Sequence, residues 1–139
     1  MTQAATALAR LKEQGHRLTP ARKALLEVLG AVAAPIGAAD ALKALSKKRV
    51  AADRATVYRE LEFLVEAGAI SPVRFEGRAM LYELAGTHHH HAVCLACGTI
   101  RDIDADADLE AIERRIAARA GFKLLRHAFE LFGLCKKCR

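Results

Sequence analysis

"AADRATVYRELEFLVEAGAISPVRFEGRAMLYEL", residues 51–84, changes its apolar period part-way along. In its first half Val57, Leu61, Leu64 and Val65 recur at helical spacing and predict one buried stripe. Ala55, Thr56 and Arg59 fall on the opposite face, with Tyr58 at the margin. Asp53 stands where an N-cap belongs, and Gly68 where a helix stops. Beyond Gly68 the pattern becomes that of two short strands around Glu76, Gly77 and Arg78, a hairpin turn.

Two further helices precede this one. "RLTPARKALLEVLG", residues 17–30, opens with Thr19 as N-cap and Pro20 at the first helical position. Ala21, Leu25, Val28 and Leu29 follow on one face. "AADALKALS", residues 38–46, gives a shorter helix with Leu42 and Leu45 apolar. Three helices and then a hairpin is the order of a winged helix-turn-helix, whose third helix enters the DNA major groove. Thr56, Tyr58 and Arg59, with Arg54 nearby, are the side chains left for the groove. The same pattern fits a generic helical domain whose exposed face happens to carry arginine.

The bulk numbers limit the alternatives. The chain of 139 residues suffices for one ordinary domain or two small ones. No run approaches the roughly 18 apolar residues of a membrane span. The opening "MTQAATALARLKEQGHRLTP" lacks the apolar centre of a secretory signal, so a cytoplasmic protein is expected. The formal charge is +6, which suggests a polyanionic partner without requiring one. Basic and acidic residues number 13 and 9 up to Leu84, and 9 and 7 thereafter.

Past residue 84 the chain differs in kind. All four cysteines fall in two CxxC pairs, Cys94 with Cys97 and Cys135 with Cys138. In a reducing compartment such pairs read as ligands of one tetrahedral zinc ion rather than as disulfides. A thioredoxin-type redox pair would stand at the start of a helix after a strand, whereas the second pair here has only Arg139 beyond it. Residues 91–104 read as strand, zinc knuckle and strand. Residues 108–121 form an amphipathic helix with Leu109, Ile112, Ile116 and Ala120 on one side, and residues 122–135 a long strand. An α/β module with a zinc knot at its edge fits.

"HHHHAVCLACG", residues 88–98, sets four histidines directly before the first cysteine. If the run is extended, alternation sends His89 and His91 to one face and His88 and His90 to the other. Four in a row are therefore two HxH pairs, each the start of a metal site. Glu83, Asp102, Glu110 and His127 are further candidates, and mixed nitrogen and oxygen donors suit zinc, iron, manganese or cobalt. Plainer readings exist for each: His127 alternates with Leu125, Phe129 and Leu131 as a core residue would, Asp102 lies among other surface aspartates, and Glu83 fits a solvated wing.

Taken together, "RLTPAR", "ATVYRELEFLVEAG", "HHHHAVCLACG" and the terminal "CKKC" resemble the ferric uptake regulator family, over roughly Leu11 to Cys138. The resemblance implies an α+β chain. Residues 1–84 would be a winged-helix DNA-binding domain ending in a hinge, and residues 85–139 a metal-binding α/β dimerisation domain. It implies structural zinc on Cys94, Cys97, Cys135 and Cys138, and a regulatory hinge site of Glu83, His89, His91 and Asp102. A second site within the dimerisation domain would use His88, His90, Glu110 and His127, His90 standing where many relatives carry an acid. Arg17 matches a residue that reaches the minor groove, and Tyr58 and Arg59 match the groove-facing pair.

The resemblance further implies a homodimer acting on a palindromic double-stranded operator, as a metal-dependent repressor. One departure stands out: many relatives supply a hinge-site histidine from the DNA-binding domain, and here that position is about Pro35. In peroxide-sensing relatives that histidine is oxidised, so Pro35 argues against peroxide sensing, while Asp102 in place of the commoner glutamate argues for it. Zinc-uptake relatives often add a regulatory cysteine, and none is spare here. Fe2+ is favoured as the regulatory ion over Zn2+ or Mn2+. A small metalloenzyme or metal carrier built on the same ligands is the rival from another class. No nucleophile motif or phosphate loop supports an enzyme, and a carrier would not need the Thr56, Tyr58 and Arg59 face.

Overall fold

The computed structural model describes residues 1–86, 89–104, 107–125, 127 and 129–139. The chain divides into two compact units, Met1–Gly86 and Thr87–Arg139; the sequence had suggested a boundary after Leu84. Among the described residues, no helix is long and apolar enough to cross a membrane.

The first unit contains α1 (Gln3–Glu13), α2 (Pro20–Ala31), β1 (Ile36–Gly37), α3 (Ala38–Lys47), α4 (Arg54–Glu66), β2 (Ile70–Val73) and β3 (Leu81–Leu84). Two of its helices begin where the capping residues predict. Thr19 Oγ1 accepts from the Arg22 N–H at 3.2 Å, and the Asp53 carboxylate accepts from the Thr56 N–H at 2.7 Å. Each supplies an acceptor for a donor left over in a first helical turn. Helix α4 stops at Gly68, whose φ of 70° suits a residue without Cβ. The wing turns at Gly77, φ 72°, where the Arg78 N–H donates to the Phe75 carbonyl.

Leu11, Leu25, Leu26, Leu45, Val57, Leu61 and Leu64 are essentially inaccessible and gather α1 to α4 on one core, which Ile70, Tyr82 and Leu84 close from the sheet. The antiparallel sheet has the order β1-β3-β2, with Ile36 opposite Tyr82 and Ser71 opposite Glu83. Alternation along β3 buries Tyr82 and Leu84, leaving Leu81 and Glu83 half-buried. Helix α1 goes beyond the three helices read from the sequence, and it packs tightly. A Cβ added at Gly30 of α2 would lie 3.0 Å from the Ala4 Cβ.

The second unit contains β4 (His90–Cys94), β5 (Ile100–Ile103), α5 (Ala107–Ala120) and β6 (Glu130–Gly133), in the sheet order β5-β4-β6. β5 pairs antiparallel with β4 after the cysteine turn, and β6 pairs parallel with it. A parallel pairing needs a long crossover, which α5 provides. The long strand expected over residues 122–135 is a correction: among the described residues of that span, only Glu130–Gly133 is strand. Its ladder runs from His91 opposite Glu130 to Cys94 opposite Gly133, so β4, five residues long, sets the length of its neighbour.

Candidate metal centres and nucleic-acid face

Strand β4 ends on Cys94, and a tight turn then brings Cys97 back beneath it. The Gly98 N–H donates to the Cys94 carbonyl at 2.9 Å, with Gly98 at φ 76°. A second turn repeats the device, the Cys138 N–H donating to the Cys135 carbonyl at 2.9 Å. The turns are stitched together by the Leu95 N–H on the Gly133 carbonyl, 2.8 Å, and by the Cys135 N–H on Cys94 Sγ, 3.3 Å. All four cysteines are unbridged, and their sulfurs lie within 4.8 Å of one another.

Cys97 Sγ and Cys135 Sγ are 3.7 Å apart. A zinc–sulfur tetrahedron with bonds of about 2.3 Å has edges of about 3.8 Å. The electrostatics also favour a cation. The Cys97 and then the Cys135 backbone N–H groups hold the Cys94 thiol down at about 6. The Thr99 hydroxyl and amide lower Cys97. Cys138 is pushed up to about 12, chiefly by its hydrogen bond to Cys135 and then by those to Cys97 and Cys94. The cluster thus combines thiols prepared to hold negative charge with one, Cys138, that keeps its proton until a cation replaces it. The donor set fits zinc.

Among the described histidines of the run, His89 and His91 lie together and His90 lies apart from them. The β4–β5 register sets His91 opposite Asp102, and their side chains meet at 3.6 Å, Nε2 to Oδ1. His89 Nε2 lies 3.8 Å from the same oxygen, and the two rings meet edge to face at 4.9 Å. His91 is 6% exposed, while Asp102 opens to solvent. The ligand atoms of these three lie within 4.8 Å of one another, a fit to a divalent cation. Glu83, the remaining hinge candidate, is on β3 of the first unit.

His90 is buried, stacks on His127 at 5.1 Å and takes the edge of Phe129 at 5.3 Å. His127 Nδ1 lies 2.6 Å from the carboxylate of Glu113 on α5, a residue that sequence reasoning did not single out. Glu110, the acid that it did single out, is exposed one turn earlier on the same helix. His88 lies outside the described residues.

In the first unit, Val57, Leu61 and Leu64 anchor α4, leaving Arg54, Tyr58 and Arg59 exposed and Thr56 half-exposed. Arg54 lies 5.8 Å from the Tyr58 ring, and Arg59 Nη2 donates to Thr56 Oγ1 at 3.4 Å. The helix is held from behind by Arg22, which sequence reasoning also missed. Its guanidinium donates to both Glu60 oxygens, at 2.7 and 3.2 Å, and covers the Phe63 ring at 3.6 Å. A further N–H of Arg22 is donated to the Arg17 carbonyl, so one side chain fixes α4 and the exposed Arg17 turn together. The available signal was its place three residues after the Thr19 cap. Pro35 is buried just before β1.

Comparison with known proteins decides the lineage. Residues 13–132 match the Ferric uptake regulator family. The chain belongs to the ferric uptake regulator family. It is similar to the peroxide operon regulator of Bacillus subtilis, 36% identical over 132 residues that cover 95% of this chain and 90% of that one. Its fold is similar to that of the ferric uptake regulator of Helicobacter pylori, described as having three functional metal binding sites. That likeness has a TM-score of 0.84 at 26% identity and covers 97% and 93% of the two chains. A zinc uptake regulator complexed with zinc and DNA gives 0.69 at 31% identity, covering 96% and 91%. Members of this family are DNA-binding, metal-responsive regulators, and both metal clusters of this chain suit that class.

Proposed function

We propose that this Fur-family chain is a cytoplasmic, homodimeric, metal-dependent repressor, with Fe2+ as the favoured regulatory ion. The observation that carries the reading is the convergence of His89, His91 and Asp102 directly after the end of the first unit at Gly86. Glu83 is taken as the ligand from the wing. Glu83 on the first unit and His89, His91 and Asp102 on the second would hold such an ion, which would supply a cross-link between the two domains. His91 on β4 and His89 just before it would present their imidazoles together, and Asp102 would contribute negative charge from the paired strand. Fixing the wing fixes the separation of two α4 helices in a dimer, which must match two half-sites of a palindromic operator. On each α4, Thr56, Tyr58, Arg59 and Arg54 face the major groove, and Arg17 reaches the minor groove. Cys94, Cys97, Cys135 and Cys138 hold structural zinc, and His88, His90, Glu110 and His127 form a second site.

Metal and operator binding are then reciprocally coupled, typically by about 1–3 kcal/mol. Gel-shift titration with and without Fe2+ tests this. The paired His89→Ala and His91→Ala variant is expected to lose the metal dependence while staying folded. Unchanged operator affinity at saturating metal would overturn the assignment. Arg59→Ala is expected to weaken DNA binding at unaltered metal affinity. Peroxide response is the second reading, favoured by Asp102 and by the similarity to the Bacillus subtilis regulator. Peroxide treatment of the iron-loaded protein separates the two. Oxidised His89 or His91 in mass spectra supports peroxide sensing; intact histidines support iron sensing.

A further inference from the structure

We infer that Glu113 is the positioning carboxylate behind His127, fixing which ring nitrogen that histidine presents to a divalent cation. The inference rests on the reading of His90 and His127 as ligands of one site, and deepens it. His127 Nδ1 and Glu113 Oε2 are 2.6 Å apart, and both side chains are mostly withdrawn from water, 19% and 18% exposed. A carboxylate accepts only, so at this distance Nδ1 carries the hydrogen. The ring's lone pair is then on Nε2, the remaining atom that can bind a metal.

Neutral imidazole left to itself favours the other tautomer, with hydrogen on Nε2. Glu113 therefore reverses an intrinsic preference and prepares His127 as a donor before any ion arrives. Stacking on His90 at 5.1 Å, 26° from parallel, holds the ring plane in addition. Metal-bound histidines usually give their second N–H to such an acceptor, and loss of the acceptor weakens metal affinity about 10–100-fold. Glu113 sits one turn after Glu110 on α5, so the helix offers two acids with separate roles. Glu113 holds His127, and the more exposed Glu110 is free to reach a bound ion.

Two measurements on the full chain test this, both with the His89→Ala and His91→Ala changes present and the cysteine site loaded with zinc. Long-range nitrogen–proton NMR at alkaline pH, without added metal, should find His127 with hydrogen on Nδ1, and on Nε2 once Glu113→Ala is introduced. Co2+ titration followed by its visible absorption should show a loss of affinity of about 10–100-fold in Glu113→Ala at unchanged band positions. Glu113→Gln, which keeps an accepting oxygen, should retain part of the affinity. An unchanged tautomer, unchanged Co2+ affinity, or displaced bands showing that Glu113 is itself a ligand would each overturn the inference. His127→Ala separates the two levels. If it leaves Co2+ uptake intact, the second-site reading fails and the inference with it. If it abolishes uptake while Glu113→Ala is neutral, only the inference fails.

Discussion

The first unit hides Leu11, Leu25, Leu26, Leu45, Val57, Leu61 and Leu64 almost completely; the second, among its described residues, buries only Val93, Cys94, His90 and His91. Its large apolar side chains face outward instead: Ile116 on α5 is 61% exposed, and Leu131 and Phe132 on β6 are each 48% exposed. Burial of one such side chain contributes about 1.5–3 kcal/mol. The first unit has that stabilisation within its own fold. The second buries His90, His91 and Cys94 while its large apolar side chains stay outside, so on the proposed reading its order would depend on bound ions and on a second copy of the chain.

Removing metal is the most severe test of this division. A strong chelator, or Cys94→Ser, is expected to abolish amide protection across the second unit in hydrogen exchange while α1 to α4 stay protected. Uniform loss over both units would contradict the division. Leu61→Ala should do the reverse, costing about 2–5 kcal/mol in the denaturation of the first unit and leaving metal content unchanged. On the outward face, Ile116→Lys should raise the dimer dissociation constant about tenfold or more in sedimentation, without changing the melting of the first unit.

The smallest effect is electrostatic. Cys94 is depressed from 9.0 to about 6, so its contribution to the metal-free fold is complete above about pH 9 and disappears as pH falls through 6. Cys138, near 12, still holds its proton at neutral pH, so metal uptake must expel it. Zinc titration in weak buffer should therefore acidify the solution, and the amount released should fall in Cys138→Ala.

Much of this was legible from local chemistry. Thr19, Pro20, Asp53 and Gly68 punctuate α2 and α4 because caps act within one turn of the chain. The alternation of His88 to His91 separated His89 and His91 from His90 because a strand admits only two faces. Features set by distant partners were not legible. Helix α1 is an alanine-rich segment whose large apolar residues are only Leu8 and Leu11, too few to announce a core helix before Leu11 is seen buried. Strand β6 is as short as the ladder on β4 permits, a limit absent from its own apolar sequence. Glu110 and Glu113 are three residues apart on one helix, and only the position of His127 distinguishes them. Arg22 likewise gains its role from Glu60 and Phe63, 38 and 41 positions later.

The cysteine knot has a consequence in time as well as in space. Its two turns are 38 residues apart, measured from Cys97 to Cys135, and α5 and β6 lie inside the loop that they close. Closing a loop of that length sacrifices chain entropy before the sheet contacts are complete. An ion joining the four sulfurs meets that cost in one step, so the second unit is expected to mature at the pace of metal delivery. On that expectation a newly made chain would pass through a stage in which its helical half is formed and its histidine strand is still unassembled, lasting as long as the four sulfurs wait for their ion.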